Sequence, residues 1–162
     1  MKELLHEMHR WMNDYMRSFR TDDPEVMRGI RLKEIHTGYV TTNARALAKF
    51  LGCNAHDTAL AEIIGLFHDV GRFRQYAVYQ TFNDAASEDH AELGEEVDFL
   101  ERLTPADADI VRFAIKYHNK KEIAPTDDER KLFFAKVIRD ADKLDIYRVL
   151  LPFLAPDGAE KA

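Results

Sequence analysis

Gly65-Leu66-Phe67-His68-Asp69-Val70-Gly71-Arg72 sets an imidazole and a carboxylate side by side at the end of an apolar run, just before a glycine. Ile64 lies one helical turn before His68, so His68 faces the interior. An unpaired imidazole or carboxylate on the apolar side of a helix is costly. His36, His90, His118 and Asp142 nevertheless repeat that placement elsewhere in the chain. One such residue carries little information. Several of them around a His-Asp pair point to a positive charge among them, most simply a metal ion.

Working outward, Asn54 can cap the helix that leads into His68. That helix carries Leu60, Ile63, Ile64 and Phe67 inward and is expected to stop around Gly71. Upstream, Leu4, Leu5, Met8, Trp11, Met12, Tyr15, Met16 and Phe19 recur at helical spacing, which predicts an amphipathic helix over about 2–19. His6 and His9 are ordinary residues of it. Asp23-Pro24 opens a second helix that runs to Leu51 and ends at Gly52. Its expected inner face is Leu32, Ile35, Tyr39, Ala46, Leu47 and Phe50, with His36 and Asn43 on or beside it. Gly29 and Gly38 weaken this helix and predict a kink. His56, in the first turn of the third helix, is expected to be exposed and uninvolved.

Downstream, residues 72–86 are irregular and rich in aromatics, and are expected to form a functional loop or one pinned by buried rings. Ser87 is the expected cap of a helix to about Arg102 that aligns His90, Leu93, Val97 and Leu100. Thr104-Pro105 starts another, with Ile110, Ala114 and His118 on one face and its end at Asn119. Thr126 and Glu129 read as a capping box for the last helix. Its inner side is Phe134, Ile138, Ala141, Asp142, Asp145 and Val149, its end is Pro152, and residues 156–162 are expected to fray. Nothing alternates at period two. The expectation is an all-α bundle of about six helices around a polar centre, one domain over residues 1–162, with 1–22 packing on the core.

The net charge of −6 and the lack of a basic block argue against an extended nucleic-acid surface. The single cysteine, Cys53, excludes an internal disulfide and fits a cytoplasmic location. No apolar run reaches membrane-spanning length, and the first residues alternate apolar with charged rather than forming a signal peptide.

Imidazole and carboxylate donors suit a divalent transition metal: manganese, iron, cobalt, nickel or zinc. The candidates come from different helices or helix ends, so an ion held by them would staple the bundle and leave positions open for water. With His-Asp-Val-Gly-Arg (His68 to Arg72), the ordered pattern of His36, Asp-His-Ala-Glu-Leu-Gly (Asp89 to Gly94), Tyr117-His118-Asn119 and Asp-Ala-Asp-Lys-Leu-Asp (Asp140 to Asp145) resembles the HD-domain phosphohydrolase superfamily. The resemblance covers roughly Ile35 to Asp145. It implies that His36, His68, Asp69 and Asp142 hold one metal, and that His90 and His118 hold a second, with Asp69 bridging. One or two ions are thus expected.

The resemblance implies hydrolysis of a small phosphorylated substrate, a nucleotide or another phosphate ester or anhydride, by metal-activated water. Asp69, Arg72 and Lys143 are the candidate catalytic residues, the two cations as phosphate contacts, with Lys120 a further candidate. A carboxyl between Asp84 and Asp89 is a candidate leaving-group acid. Many two-metal members carry His-His where this chain has His118-Asn119, and a Gly-Tyr-Pro signature that is missing here, which turns the expectation away from cyclic dinucleotides and toward a weaker second metal. Two alternatives stand beside hydrolysis: a di-iron oxygenase of the same superfamily, and a non-catalytic HD-type interaction module. A homo-oligomer is compatible with either.

Overall fold

A computed structural model of the chain describes residues 1–91 and 98–154. Most helices begin where a short polar side chain can take up the free N–H groups of the first turn. α1 (Lys2–Ser18) lacks such a cap. α2 (Pro24–Phe50) starts behind Asp23, which accepts from the N–H groups of Glu25 and Val26. α3 (Ala55–Phe67) starts behind Asn54, and α5 (Pro105–Tyr117) behind Thr104. Each such cap contributes about 1 kcal/mol. Between α3 and α5 lie α4 (Val70–Tyr79) and two short 3-10 turns, Asp84–Ala86 and Asp98–Arg102. α6 (Glu129–Leu154) completes the set. The described residues contain no strand, and the all-α expectation of about six helices holds. No helix among them is long and apolar enough to cross a membrane.

Two caps differ from expectation. Asp128, not Thr126, accepts from the N–H groups of Arg130 and Lys131 at the start of α6. Asp89, not Ser87, accepts from Ala91 N–H where the chain turns helical at His90. The Ser87 hydroxyl is taken up by Gln75 and the Asn83 carbonyl. Leu93, Val97 and the tail from 156 lie outside the described residues. α6 also continues past Pro152 to Leu154.

The core places Met8 and Met12 of α1, Leu60, Ile63, Ile64 and Phe67 of α3, Ile115 of α5, and Phe134 and Ile138 of α6 almost wholly out of water. α2 packs on this core with a different face from the one its large apolar residues suggest. Its buried positions are Gly29, Ile30, His36, Thr37, Val40, Thr41, Ala44 and Ala48. Ile35 is 54% and Phe50 86% exposed, and Leu32 and Tyr39 are nearly half exposed. The reason is the closeness of α2 to α3. A Cβ on Gly65 would stand 2.8 Å from Thr41 Cα and 3.1 Å from the Val40 carbonyl oxygen. Only small and β-branched residues fit so narrow a seam, so the bulky ones turn outward.

The stretch after Gly71 is not a loop throughout, since α4 occupies most of it. Val70 and Phe73 are buried on its inner side. Gly29 makes room for this helix: a Cβ there would lie 2.3 Å from the Tyr76 ring. The Tyr76 ring in turn stacks on Phe82 at 4.4 Å. α2 runs unbroken through Gly29 and Gly38.

Candidate metal centre

His68 and Asp69 occupy the break between α3 and α4. His68 is the residue just past α3, and Asp69 stands directly before α4. His118 holds the same position at the end of α5 as His68 does at the end of α3. A helix leaves its last carbonyls without intrahelical partners. Each of these imidazoles serves one: His68 Nδ1 donates to the Gly65 carbonyl at 2.7 Å, and His118 Nδ1 to that of Ile115 at 2.6 Å. A carbonyl only accepts, so both rings carry their proton on Nδ1 and turn a bare Nε2 inward.

The inward atoms converge on Asp69. His36 Nε2 lies 3.3 Å from Asp69 Oδ2, 3.0 Å from Asp142 Oδ1 and 3.3 Å from His68 Nε2. His68 Nε2 is 3.5 Å from Asp69 Oδ2 and 4.0 Å from Asp142 Oδ1. The other oxygen faces a second pair: His90 Nε2 at 3.2 Å and His118 Nε2 at 3.6 Å from Asp69 Oδ1, with 3.0 Å between the two rings. One carboxylate therefore shows one oxygen to each of two donor sets. An ion about 2.1 Å from each donor sets neighbouring donors about 3.0–3.4 Å apart. The separations of 3.0–3.6 Å lie close to that spacing in both sets, with His68 to Asp142 wider at 4.0 Å, and His36, His68 and Asp69, like Asp69, His90 and His118, could hold a metal ion.

The remaining two rings are steered by carboxylates. His36 Nδ1 pairs with Asp145 Oδ2 at 2.7 Å, and Asp145 also accepts from Arg148 Nε at 2.5 Å. His90 Nδ1 pairs with Asp84 Oδ1 at 2.8 Å. Such outer partners fix ring orientation and raise the basicity of the inner nitrogen.

The charges favour a cation at the centre. Burial pulls the His36 imidazole down, but the carboxylates of Asp142 and Asp69 outweigh it and hold the group up at about 9. Burial carries fully enclosed His68 down to about 4, against the pull of Asp69 and Asp142. Burial would raise Asp69, yet Lys33 and the surrounding imidazoles keep it well below the usual carboxylate range. Asp142 is lowered too, its burial offset chiefly by His36. The field that favours a proton on His36 favours a metal ion for the same reason.

All six residues expected around the centre are thus brought together. The three expected cations are placed differently. Arg72 donates to Gln75 Oε1, the Phe82 carbonyl and Asp84 Oδ1 at 2.6–2.9 Å, with its Nε 3.6 Å from Asp69 Oδ1. It anchors the segment that orients His90. Lys143 is exposed on α6, next in sequence to Asp142. Lys120 is paired with Asp89. The lysine on the centre is Lys33, whose Nζ donates to Asp69 Oδ2 at 2.7 Å and stands 5.3 Å from the centroid of the Phe82 ring. Its only sequence signal is its place three residues before His36. Asn119, where a second histidine stands in many two-metal relatives, donates to Asp89 Oδ1 and Asp84 Oδ2. Asp84, opposed by its burial but held by His90, sits at about 2, and Asp89 is also lowered, so both are carboxylates rather than acids at neutral pH. His56, expected to be uninvolved, pairs with Asp107 at 3.1 Å, away from the centre.

No curated protein and no solved structure matches the chain. The family model for the HD domain matches residues 34–147, which takes in His36, the His68-Asp69 pair, His90, His118, Asp142 and Asp145. HD domains bind divalent metals, and among the described residues the two donor sets around Asp69 could hold an ion, as could Asp84 and Asp89 with His90. By the extent of that match and the residues within it, the chain belongs to the HD-domain family.

Proposed function

We propose that this protein is a metal-dependent phosphohydrolase acting on a nucleotide or another phosphate ester or anhydride. The observation that carries this is Asp69, with one oxygen toward His36 and His68 and the other toward His90 and His118. In this proposal His36, His68, Asp69 and Asp142 hold one divalent transition ion, and Asp69, His90 and His118 hold a second. Bound there, such ions supply Lewis acidity and a water acidified toward neutral pH.

The chain's own residues do the rest. Asp145 and Asp84 hold the rings of His36 and His90 in the orientation that aims Nε2 inward. Arg72 fixes Asp84. Lys33 is the cation best placed to meet a phosphoryl oxygen and neutralise charge that builds up on it. Lys143 adds positive charge beside Asp142. Asp84 and Asp89 are ionised and orient neighbours, so the leaving group takes its proton from elsewhere.

The test is elemental analysis of the purified protein, then stripping, reloading with manganese, iron, cobalt, nickel or zinc, and a screen for phosphate release. Release that Asp69→Asn abolishes supports the proposal. Loaded protein that releases no phosphate from any nucleotide or phosphoester overturns it, and oxygen consumption by the iron form would assign oxidation instead.

A further inference from the structure

We infer that the organic part of the substrate is an apolar group about the size of one six-membered ring, held in a slot between α2 and α6 that opens on the metal centre. The inference rests on the phosphohydrolase proposal and adds the substrate class. A cavity of about 150 Å³ is lined by Leu32, Lys33 and His36 of α2 and by Ile146, Val149 and Leu150 of α6. The two kinds of lining residue are segregated by chemistry. Lys33 and His36 are the residues that touch Asp69. The other four are aliphatic.

Leu32, Ile146 and Leu150 are each nearly half exposed. Large aliphatic side chains left in water around a cavity that ends on a cation and an imidazole describe a ligand with a matching division. Its anionic head meets Lys33 and the centre, and its apolar body covers the aliphatic walls. Size gives one guide: the space between these walls, about 150 Å³, has room for a benzene-sized group. Polarity gives another. No lining side chain besides Lys33 and His36 offers a hydrogen bond, so a sugar or polyol directly beside the phosphate would lose water without replacement. The substrate class is a phosphate monoester of a small apolar alcohol or phenol. In its hydrolysis the bond between phosphorus and the ester oxygen breaks, and a water oxygen bonds to phosphorus. A proton from that water ends on the leaving oxygen, giving the alcohol or phenol and inorganic phosphate.

The experiment uses the metal-loaded full chain with phenyl phosphate and glycerol 2-phosphate as substrates, and phenylphosphonate and methylphosphonate as non-hydrolysable binding probes in calorimetry. Leu150→Ser and Ile146→Ser remove aliphatic wall at nearly half-exposed positions outside the buried core. The expected result is a KM at least about ten-fold lower for phenyl phosphate, since kcat also carries the easier departure of phenol. Each variant should raise that KM several-fold and weaken the use of glycerol 2-phosphate far less. Phenylphosphonate should bind more tightly than methylphosphonate, and each variant should erase the difference. That binding difference without any turnover would sustain the slot while sinking the phosphohydrolase proposal. Turnover with equal use of both esters and no response to either variant would sink the slot and leave the hydrolase standing. Failure of both phosphonates to bind, or a nucleoside monophosphate used better than phenyl phosphate and unaffected by Leu150→Ser, overturns the inference as well.

Discussion

At His36 both ring nitrogens are committed, Nδ1 to Asp145 and Nε2 to the meeting point with His68, Asp69 and Asp142. The folded group sits at about 9 against an ordinary 6.5. A pKa raised on folding gives stability that is complete below the unfolded value and disappears as pH rises through the folded one. Chelator-treated protein should therefore lose thermal stability between pH 6.5 and 9. A metal must displace that proton, so metal affinity should rise over the same interval. Melting temperatures of stripped protein should thus fall across this interval while those of metal-saturated protein stay nearly level, and parallel slopes would show that proton and metal do not compete at His36. Asp145→Asn keeps the volume but removes the charge behind the ring. Metal titration should show affinity about 10–100-fold weaker, with the helix content of the circular dichroism spectrum unchanged. His36, His68, His90, His118 and Asp142 are legible because each polar side chain breaks an apolar stripe, and Asp69 because it stands beside His68. Lys33 breaks none, since it borders the stripe on a face where charge is ordinary. Asp145 was placed on the inner side of its helix, but its partner, 109 residues away, could not be read from local pattern.

Among the elements, the α2–α3 seam sets the distance between His36 and His68. Gly65→Ala would drive a methyl into Thr41 Cα at 2.8 Å, which backbone cannot yield to cheaply. A loss of about 1–3 kcal/mol is expected by urea denaturation, together with weaker metal binding. Gly38 lies on the same α2 with nothing within 4 Å of its would-be Cβ. Gly38→Ala should instead stabilise by about 0.5–1 kcal/mol. If both substitutions act alike, the seam is not as tight as described. Periodicity reads α1, α3 and α5 well because their large apolar residues face inward; on α6 this holds for Phe134 and Ile138, whereas Leu144, Ile146, Tyr147, Leu150 and Leu151 are exposed. It misassigned the inner face of α2, where closeness selects Thr37, Thr41, Ala44 and Ala48 over bulk. It missed α4 because Gly71 looked like a stop. The polar Gln75, buried on the inner side of α4, donates to Asp84, Ser87 and the Glu88 carbonyl, contacts visible only once the following segment folds back.

For the whole molecule, the donor residues come from α2, the α3–α4 break, the helical turn that begins at His90, the end of α5, and α6. Metal binding and folding are then linked, and each equivalent of metal should raise the melting temperature until the sites are full. Saturation is expected near two ions per chain by elemental analysis. His90→Ala and His118→Ala should each lower it toward one and reduce turnover more than substrate affinity. A wild-type chain that stops at one ion under excess metal would return both histidines to the role of phosphate contacts.

The pairing of His36 with Asp145 also bears on how the protein is made. The two residues are separated by 109 positions. At a synthesis rate of about 5–20 residues per second, the first waits on the order of 5–20 s for the second to leave the ribosome. Once α3 has followed, it can dock on α2, but the pocket beside α2 still lacks the wall that α6 supplies. A nascent chain can therefore gather a partial donor set around Asp69 well before α6 is available. Its choice of ion stays open until α6 packs against α2 and closes the set.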